Sequence, residues 1–162
     1  MFYKFLISIF LASFIFACST TNKETSQSKG SGSESAESAE IDSIKAGSQE
    51  DLIVNVGDRV FFDYNSSELD ADAQELLQDQ VAWMKQNNAS VTVEGHCDER
   101  GTREYNLALG EKRAQAVKNY LIGLGISASN VSTISYGKER PAVVGSNDGA
   151  WGQNRRSVTI VN

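Results

Sequence analysis

The chain has 162 residues, which is enough for one domain of ordinary size and its tails. Its 15 basic and 21 acidic side chains give a formal charge of −6, and an acidic surface repels nucleic-acid phosphates and anionic lipid headgroups. This acidic charge leads us to expect no nucleic-acid partner. Two cysteines and one histidine are too few for a structural zinc site, so we expect no metal and no other cofactor.

Residues 1–17 have the composition of a secretory signal peptide, because Lys4 is followed by an apolar run from Phe5 to Phe16. That run of about 12 residues is too short to cross a hydrocarbon core of ~30 Å at 1.5 Å per residue. A retained transmembrane helix is therefore the weaker interpretation. Cleavage is predicted after Ala17.

The segment 15–18, Ile-Phe-Ala-Cys, resembles the bacterial lipobox, in which the cysteine becomes the acylated first residue, although Phe16 departs from the usual pattern. Cys18 is therefore the predicted lipidation site, and Ser19 after it resembles lipoproteins of the outer membrane. Several acyl chains anchor a protein stably, whereas one chain is marginal. The alternative is a secreted protein without lipid, in which Cys18 and Cys97 form a disulfide.

Residues 18–50 are rich in Ser, Glu, Gly, Lys and Thr and hold no aromatic side chain. Such a segment buries too little apolar surface to offset its ordering entropy, so it is predicted to be a disordered tether. A flexible chain of this length spans about 30 Å on average, a reach that suits a link between a lipid anchor and a folded domain. An uncleaved pro-segment is the alternative.

Residues 51–162 are predicted to form the folded domain, which begins with a short apolar strand at Val60–Phe62. Ser67 or Asp70 is expected to cap the helix that follows, and this helix is expected to end near Asn87 and Asn88. Its apolar side chains recur at intervals of three and four residues, which indicates one buried helical face. They are Leu69, Ala73, Leu76, Leu77, Val81 and Met84.

A second strand and a second helix follow. Residues 91–95 alternate between apolar and polar side chains, as a half-buried strand does. Thr102 is expected to cap a helix over residues 103–124, and Gly125 is expected to end it.

Two more strands complete the domain: residues 131–136 and a last strand from which Val158 and Ile160 are expected to point inward. The order strand-helix-strand-helix-strand-strand joins strands through helices. We therefore predict an α+β fold: a two-layer sandwich with a mixed four-stranded sheet and its helices on one face.

The run from Glu94 to Thr102 concentrates ionic and polar side chains where the second strand ends and the next helix begins. Such a junction is a natural ligand position, because free backbone N–H groups and side chains converge there. Asp98 lies just past the strand, and Arg113 lies about three turns into the helix. The loop between them is expected to bring these two charges together.

At this point the sequence resembles a known family. A set of residues resembles the signature of the outer-membrane-protein-A-like (OmpA-like) domains: Cys97-Asp98, Leu109-Gly110, Arg113-Ala114 and Val117. In those domains Thr is usual at position 97 and Ser is common at position 110. Five further segments are closer still to the peptidoglycan-associated lipoproteins: 98–102, 104–106, 135–139, 141–143 and 154–156. The resemblance covers about Val56 to Val161.

The resemblance implies non-covalent binding of the peptidoglycan stem peptide at its diaminopimelate residue, whose free end carries an ammonium and a carboxylate. Asp98 is positioned to accept from the ammonium, and Arg113 to hold the carboxylate with a bidentate geometry that lysine lacks. The resemblance implies further ligand contacts by Arg100, Thr102, Asp63, Phe62 and Leu109, and we add Asn106. The alternative is an Asp98–Arg113 salt bridge that only steadies the loop; an exposed pair contributes about 0–1 kcal/mol.

Cys97 is expected to be a small buried residue on the face of Val91 and Val93. Neighbouring strand residues point to opposite faces, so His96 is a poor base for a reactive Cys97 thiol and the two are poor metal ligands together. His96 is expected to line the pocket or to face solvent.

Three further features have plain interpretations. The pair Arg155-Arg156 is expected at the edge or the beginning of the last strand. Trp151 and Tyr136 are expected in the core or at the pocket rim.

An enzyme acting on the cell wall is the rival class, but Asp98 and Glu99 are adjacent rather than opposed across a cleft, which does not suit glycoside cleavage. We therefore predict no catalytic residue. The resemblance also implies attachment to the outer membrane, facing the periplasm, and partnership with the Tol system. The partner it implies is that system's periplasmic β-propeller protein, on a surface overlapping the wall site.

Overall fold

The computed structural model describes residues 44–162, so the predicted signal peptide, the lipidation site Cys18 and most of the tether lie outside the described residues. Helix α1 (Gln49–Asn55) begins two residues before the predicted domain boundary at Asp51. The hydroxyl of Ser48 caps this helix by accepting from the Asp51 N–H, and Leu52 is fully buried in the core. Helix α1 therefore begins before the point at which the composition changes.

The remaining elements confirm the six that were predicted and add a short helix. They are β1 (Arg59–Phe61), α2 (Ala71–Asn87), β2 (Val91–His96), α3 (Arg103–Gly123), β3 (Val131–Gly137), α4 (Asp148–Asn154) and β4 (Arg156–Val161). A single 3-10 turn at Ala128–Asn130 precedes β3. Helix α4 was not predicted, because its seven residues include two glycines and are too few to show helical periodicity.

The helix caps match the sequence signals. Asp70, rather than Ser67, caps α2: its Oδ1 accepts from the Ala73 N–H at 2.8 Å. Asn88 ends α2 in the left-handed conformation, with φ of 49°. Thr102 caps α3 as predicted. Within residues 44–162, none of the helices has the length and apolar content needed to span a membrane.

The four strands form one mixed sheet in the order β1-β4-β2-β3, as predicted. Strands β2 and β3 are parallel and are joined through α3, whereas β4 is antiparallel to both of its neighbours, β1 and β2. The core lies between this sheet and the helices. It includes Val91 and Val93 of β2, Leu77 and Met84 of α2, and Val117 and Leu121 of α3.

The face assignment predicted for β4 is wrong. Val161 pairs with Val91 and Thr159 with Val93, and the Thr159 hydroxyl donates to Gln80 of α2 at 2.8 Å. Val158 and Ile160 therefore point to the sheet face opposite the helices. Residues 156–159 are all buried, so both faces of this strand are covered and apolar alternation does not identify the core side.

Candidate functional site

A contact between two glycines places α3 against the end of β2. A Cβ added to Gly95 would overlap the carbonyl oxygen of Gly110 and lie 2.6 Å from its carbonyl carbon. No residue other than glycine fits at position 95 without moving the helix. Asp98 follows Gly95 by three residues and Arg113 follows Gly110 by three. This contact therefore sets the distance between the two predicted ligand-binding charges.

A cavity of about 50 Å³ opens at the exit of β2. Five predicted site residues line it: Asp98, Arg100, Asn106, Leu109 and Arg113. The other residues that line it were not predicted as site residues: Tyr64, Asn65, Cys97, Gly101, Tyr105 and Arg155.

Arg113 is fully buried, with 0% of its surface exposed. Its Nε donates to the Ser66 carbonyl at 2.8 Å, Nη1 to the His96 carbonyl at 2.8 Å and Nη2 to the Asp63 carbonyl at 3.1 Å. These bonds use three of the five guanidinium N–H groups, so part of its donor capacity is left for a ligand. Burial lowers the pKa of Arg113.

No carboxylate of the described residues lies within ion-pair distance of Arg113. The alternative of a direct Asp98–Arg113 salt bridge is therefore not what the structure shows. A buried cation that borders a cavity and lacks a counter-charge is suited to bind an anion.

Asp98 is instead paired with Arg100. Its Oδ1 accepts from the backbone N–H and from Nε of Arg100, both at 3.1 Å, and its Oδ2 accepts from Nη2 at 2.6 Å. Arg155 approaches the same Oδ2 at 3.5 Å. Burial opposes ionisation of Asp98, but the hydrogen bonds from Arg100 outweigh it, and the pKa of this carboxyl lies below its ordinary value. The guanidinium of Arg100 thus already occupies the position at Asp98 where a ligand ammonium is expected.

Three predicted site residues support the cavity rather than line it. The Phe62 ring lies under Arg113, with its centroid 5.1 Å from Cζ. Asp63 is exposed and gives Arg113 its backbone carbonyl, and the Thr102 hydroxyl caps α3. Their roles as direct ligand contacts stay predictions.

Asn106 and Cys97 shape the base of the cavity. The buried Asn106 amide donates to the carbonyls of Arg100 and Thr102, which holds the loop onto the first turn of α3. The Cys97 thiol donates to the Asn106 carbonyl at 3.3 Å. It is a buried free thiol within the described residues, and burial raises its pKa, as expected of a packing residue rather than a nucleophile.

His96 neither lines the cavity nor faces solvent, so that prediction is wrong. Its ring is 2% exposed and lies on the opposite face of the sheet, 5.5 Å from the ring of Tyr136. Burial, with help from the charge of Arg156, lowers the pKa of His96 to about 4. Strand alternation predicted that His96 and Cys97 point apart, but it did not predict that the chain covers the far side. Within residues 44–162, no group of three or more His, Cys, Asp or Glu side chains is arranged to hold a metal ion.

Arg155 and Trp151 come from the segment before β4 and complete the site. Arg155 Nε donates to the Phe62 carbonyl at 3.0 Å, so this arginine reaches the cavity while Arg156 lies buried behind the sheet. The guanidinium of Arg100 lies over the rings of Tyr64 and Trp151, at 4.2 Å and 4.1 Å. Alternation indicates that the two arginines point apart, but the face predicted for β4 would have placed Arg156, rather than Arg155, on the side of the helices.

Comparisons with known proteins identify the family of this chain. The OmpA family model matches residues 61–155. The chain belongs to the OmpA family and, within it, to the peptidoglycan-associated lipoproteins. It is 54% identical over 120 residues to the peptidoglycan-associated lipoprotein of Agrobacterium fabrum, covering 74% of this chain and 68% of that one. It is 53% identical over 117 residues to that of Brucella melitensis, covering 72% and 70%.

A solved structure is similar as well. The crystal structure of the peptidoglycan-associated lipoprotein from Burkholderia pseudomallei has a TM-score of 0.63 and 39% identity, covering 65% of this chain and 90% of that one. Membership in the OmpA family confirms the family resemblance, the fold class and the prediction that the chain is not an enzyme.

Proposed function

We propose that this chain is an outer-membrane lipoprotein that holds the peptidoglycan stem peptide at its diaminopimelate residue and so tethers the membrane to the cell wall. The observation that carries the proposal is the buried, uncompensated Arg113 in the same cavity as the buried Asp98. A free amino-acid end supplies a carboxylate for Arg113 and an ammonium that can take the place of Arg100 at Asp98. The names of the relatives support peptidoglycan as the source of such an end.

The chemistry of Arg113 favours a ligand that carries a carboxylate. A carboxylate at Arg113 forms charge-assisted hydrogen bonds in a low-dielectric site, where they are about twice as strong as neutral ones. The three backbone carbonyls fix the guanidinium plane, so the ligand meets an oriented donor pair. Lysine at this position has no planar fork and would satisfy fewer of these acceptors.

The decisive experiment measures binding to purified sacculi and to a synthetic stem peptide ending in diaminopimelate. In Asp98→Asn the buried acceptor loses its charge, and affinity should fall by about 30-fold or more, since truncating one partner of a buried charge pair costs about 2–5 kcal/mol. Asp58→Asn is the matched control, because Asp58 is also buried and also pairs with the arginine that follows it. Native wild-type protein that gives no calorimetric heat with the stem peptide would refute the proposal.

The anchor is a separate part of the proposal. We infer cleavage after residue 17, acylation of Cys18 and a tether from there to the folded domain. Mass spectrometry of the mature N-terminus from membranes tests this directly. A diacylated or triacylated cysteine supports it, whereas an unmodified N-terminus supports the secreted alternative, in which the domain still binds the wall.

Partnership with the Tol system in envelope integrity and cell division rests on family resemblance alone. If its periplasmic β-propeller protein uses a surface overlapping the cavity, the stem peptide should compete with it. A pulldown in which both bind at once, without competition, would contradict the shared surface.

A further inference from the structure

The cavity is small compared with the ligand proposed above. Its volume is about 50 Å³, about a third of the ~150 Å³ cavity that accommodates benzene in an engineered protein core. The head of an amino acid, with its nitrogen, carboxylate and two carbons, is close to benzene in size. Movement of a residue in the cavity wall would make more room for such a ligand.

Arg100 is the wall residue that covers Asp98, and its side chain makes no hydrogen bond to the backbone within the described residues. All side-chain hydrogen bonds of Arg100 go to Asp98, and its side chain is 32% exposed while that of Asp98 is 5% exposed. Arg100 thus covers Asp98 from the solvent side. By contrast, Arg113 is held by three carbonyls and Arg155 by the Phe62 carbonyl.

Two aromatic rings set how firmly Arg100 is held. Its guanidinium lies 4.2 Å from the ring centroid of the exposed Tyr64 and 4.1 Å from that of Trp151. Trp151 is itself oriented by its Nε1, which donates to Glu99 at 3.1 Å. Cation–π contact with both rings gives Arg100 a defined closed position that a ligand has to displace.

We propose that Arg100 is a latch, an internal cation that occupies Asp98 in the free protein and yields it to the ammonium of the ligand. This inference rests on the proposed function and adds the step by which the site opens. Leaving the buried Asp98 without any cation is costly, so Arg100 departs only as another cation arrives or in a rare open state. Occupation of Asp98 then passes from guanidinium to ammonium, and Tyr64 and Trp151 determine how often the latch opens.

The test is stopped-flow binding of the synthetic stem peptide to the full chain, read by fluorescence of Trp151. Trp151 and Trp83 are the two tryptophans of the chain, so Trp83→Phe serves as the background for every variant. If the latch holds, Trp151 emission changes as Arg100 leaves it. The observed rate in this background should then level off at high peptide concentration, where opening becomes limiting.

Two variants loosen the latch. Arg100→Gln has no guanidinium over Trp151, so its binding, with that of wild type for comparison, is followed by the anisotropy of a fluorescently labelled stem peptide; it should associate at least several-fold faster, with a rate that stays linear in peptide concentration. Tyr64→Leu, a change at an exposed position, should give a smaller increase in the same direction, and it carries the test if Arg100→Gln does not fold. Arg59→Gln is the matched control, because it removes the same charge from a similar pair with Asp58.

The outcomes separate the two ideas. Wild-type binding combined with unchanged or slower association in both variants overturns the latch and makes Arg100 a simple ligand contact. Absence of any binding by the wild-type chain overturns the proposed function and the latch together. Faster association in both variants, with Arg59→Gln unchanged, supports the latch.

Discussion

Two buried arginines lie on opposite sides of the sheet and differ in what surrounds them. Arg113, on the helix side, makes three hydrogen bonds of 2.8 to 3.1 Å to carbonyls and borders the cavity. Arg156, on the far side, makes two long contacts of 3.3 and 3.5 Å to carbonyls, and the charges of Glu94 and Asp58 favour its ionised form.

Burial of a charge therefore does not by itself identify a binding site in this protein. Neither arginine has a carboxylate within ion-pair distance among residues 44–162, and nearby acids favour the ionised form of both: Asp98 for Arg113, and Glu94 and Asp58 for Arg156. Arg113 differs because it borders the cavity, where a ligand can reach it. The cavity, rather than burial, distinguishes the binding side from the structural side.

The largest effect should come from separating the helix from the sheet on the binding side. Gly95→Ala places a methyl group into the Gly110 backbone, and we expect the free energy of unfolding to fall by about 4 kcal/mol. Gly123→Ala is the control, since a Cβ at Gly123 meets nothing within 4 Å and alanine favours a helix. Urea denaturation measures both, and equal stability of Gly95→Ala and wild type would show that the close approach is not obligatory.

A direct comparison of the two arginines should give the next largest effect. Arg113→Met leaves three carbonyls without their donor, so unfolding should become easier by about 3 kcal/mol. Arg156→Met should cost about 1 kcal/mol or less, because its hydrogen bonds are long and an apolar side chain avoids the desolvation of the charge. Stability is measured by thermal and urea unfolding. If Arg113→Met and Arg156→Met lose similar amounts of stability, the two sides of the sheet do not differ in the way described.

The far side should show a smaller, pH-dependent effect through His96. The pKa of this imidazole is about 4 in the folded protein, against an ordinary value of 6.5, so the unfolded chain takes up the proton first as pH falls. Stability is thus present above pH 6.5 and is lost between pH 6.5 and about 4, by roughly 2 kcal/mol between pH 7 and 4.5.

His96→Phe isolates this contribution from that of the carboxylates. The variant should lose less stability than the wild type over the same interval, as measured by denaturation at a series of pH values. Parallel profiles of stability against pH for wild type and His96→Phe would mean that His96 has the same pKa in the folded and the unfolded protein. Stem-peptide binding at neutral pH reports whether the far side influences the cavity.

Local signals predicted most of the secondary structure. The caps at Asp70 and Thr102, the left-handed end at Asn88 and the apolar spacing of α2 and α3 depend on neighbours within one helical turn, so they are present in the linear sequence. The failures, at β4 and α4, occurred where the chain is covered on both faces or where the element is too short to repeat its pattern.

The sequence by itself determined the order of the four strands with α2 and α3, the mixed α+β class and the family signature, and it placed Asp98 and Arg113 at one site. Only the tertiary structure decided that Arg113 has no counter-ion, that Arg100 occupies Asp98, that Arg155 reaches the cavity and that His96 is buried on the far side. The reason is physical. Caps and periodicity are short-range, whereas charge balance and burial depend on residues such as Phe62 and Arg155, which lie far apart in the chain and meet only when the sheet assembles.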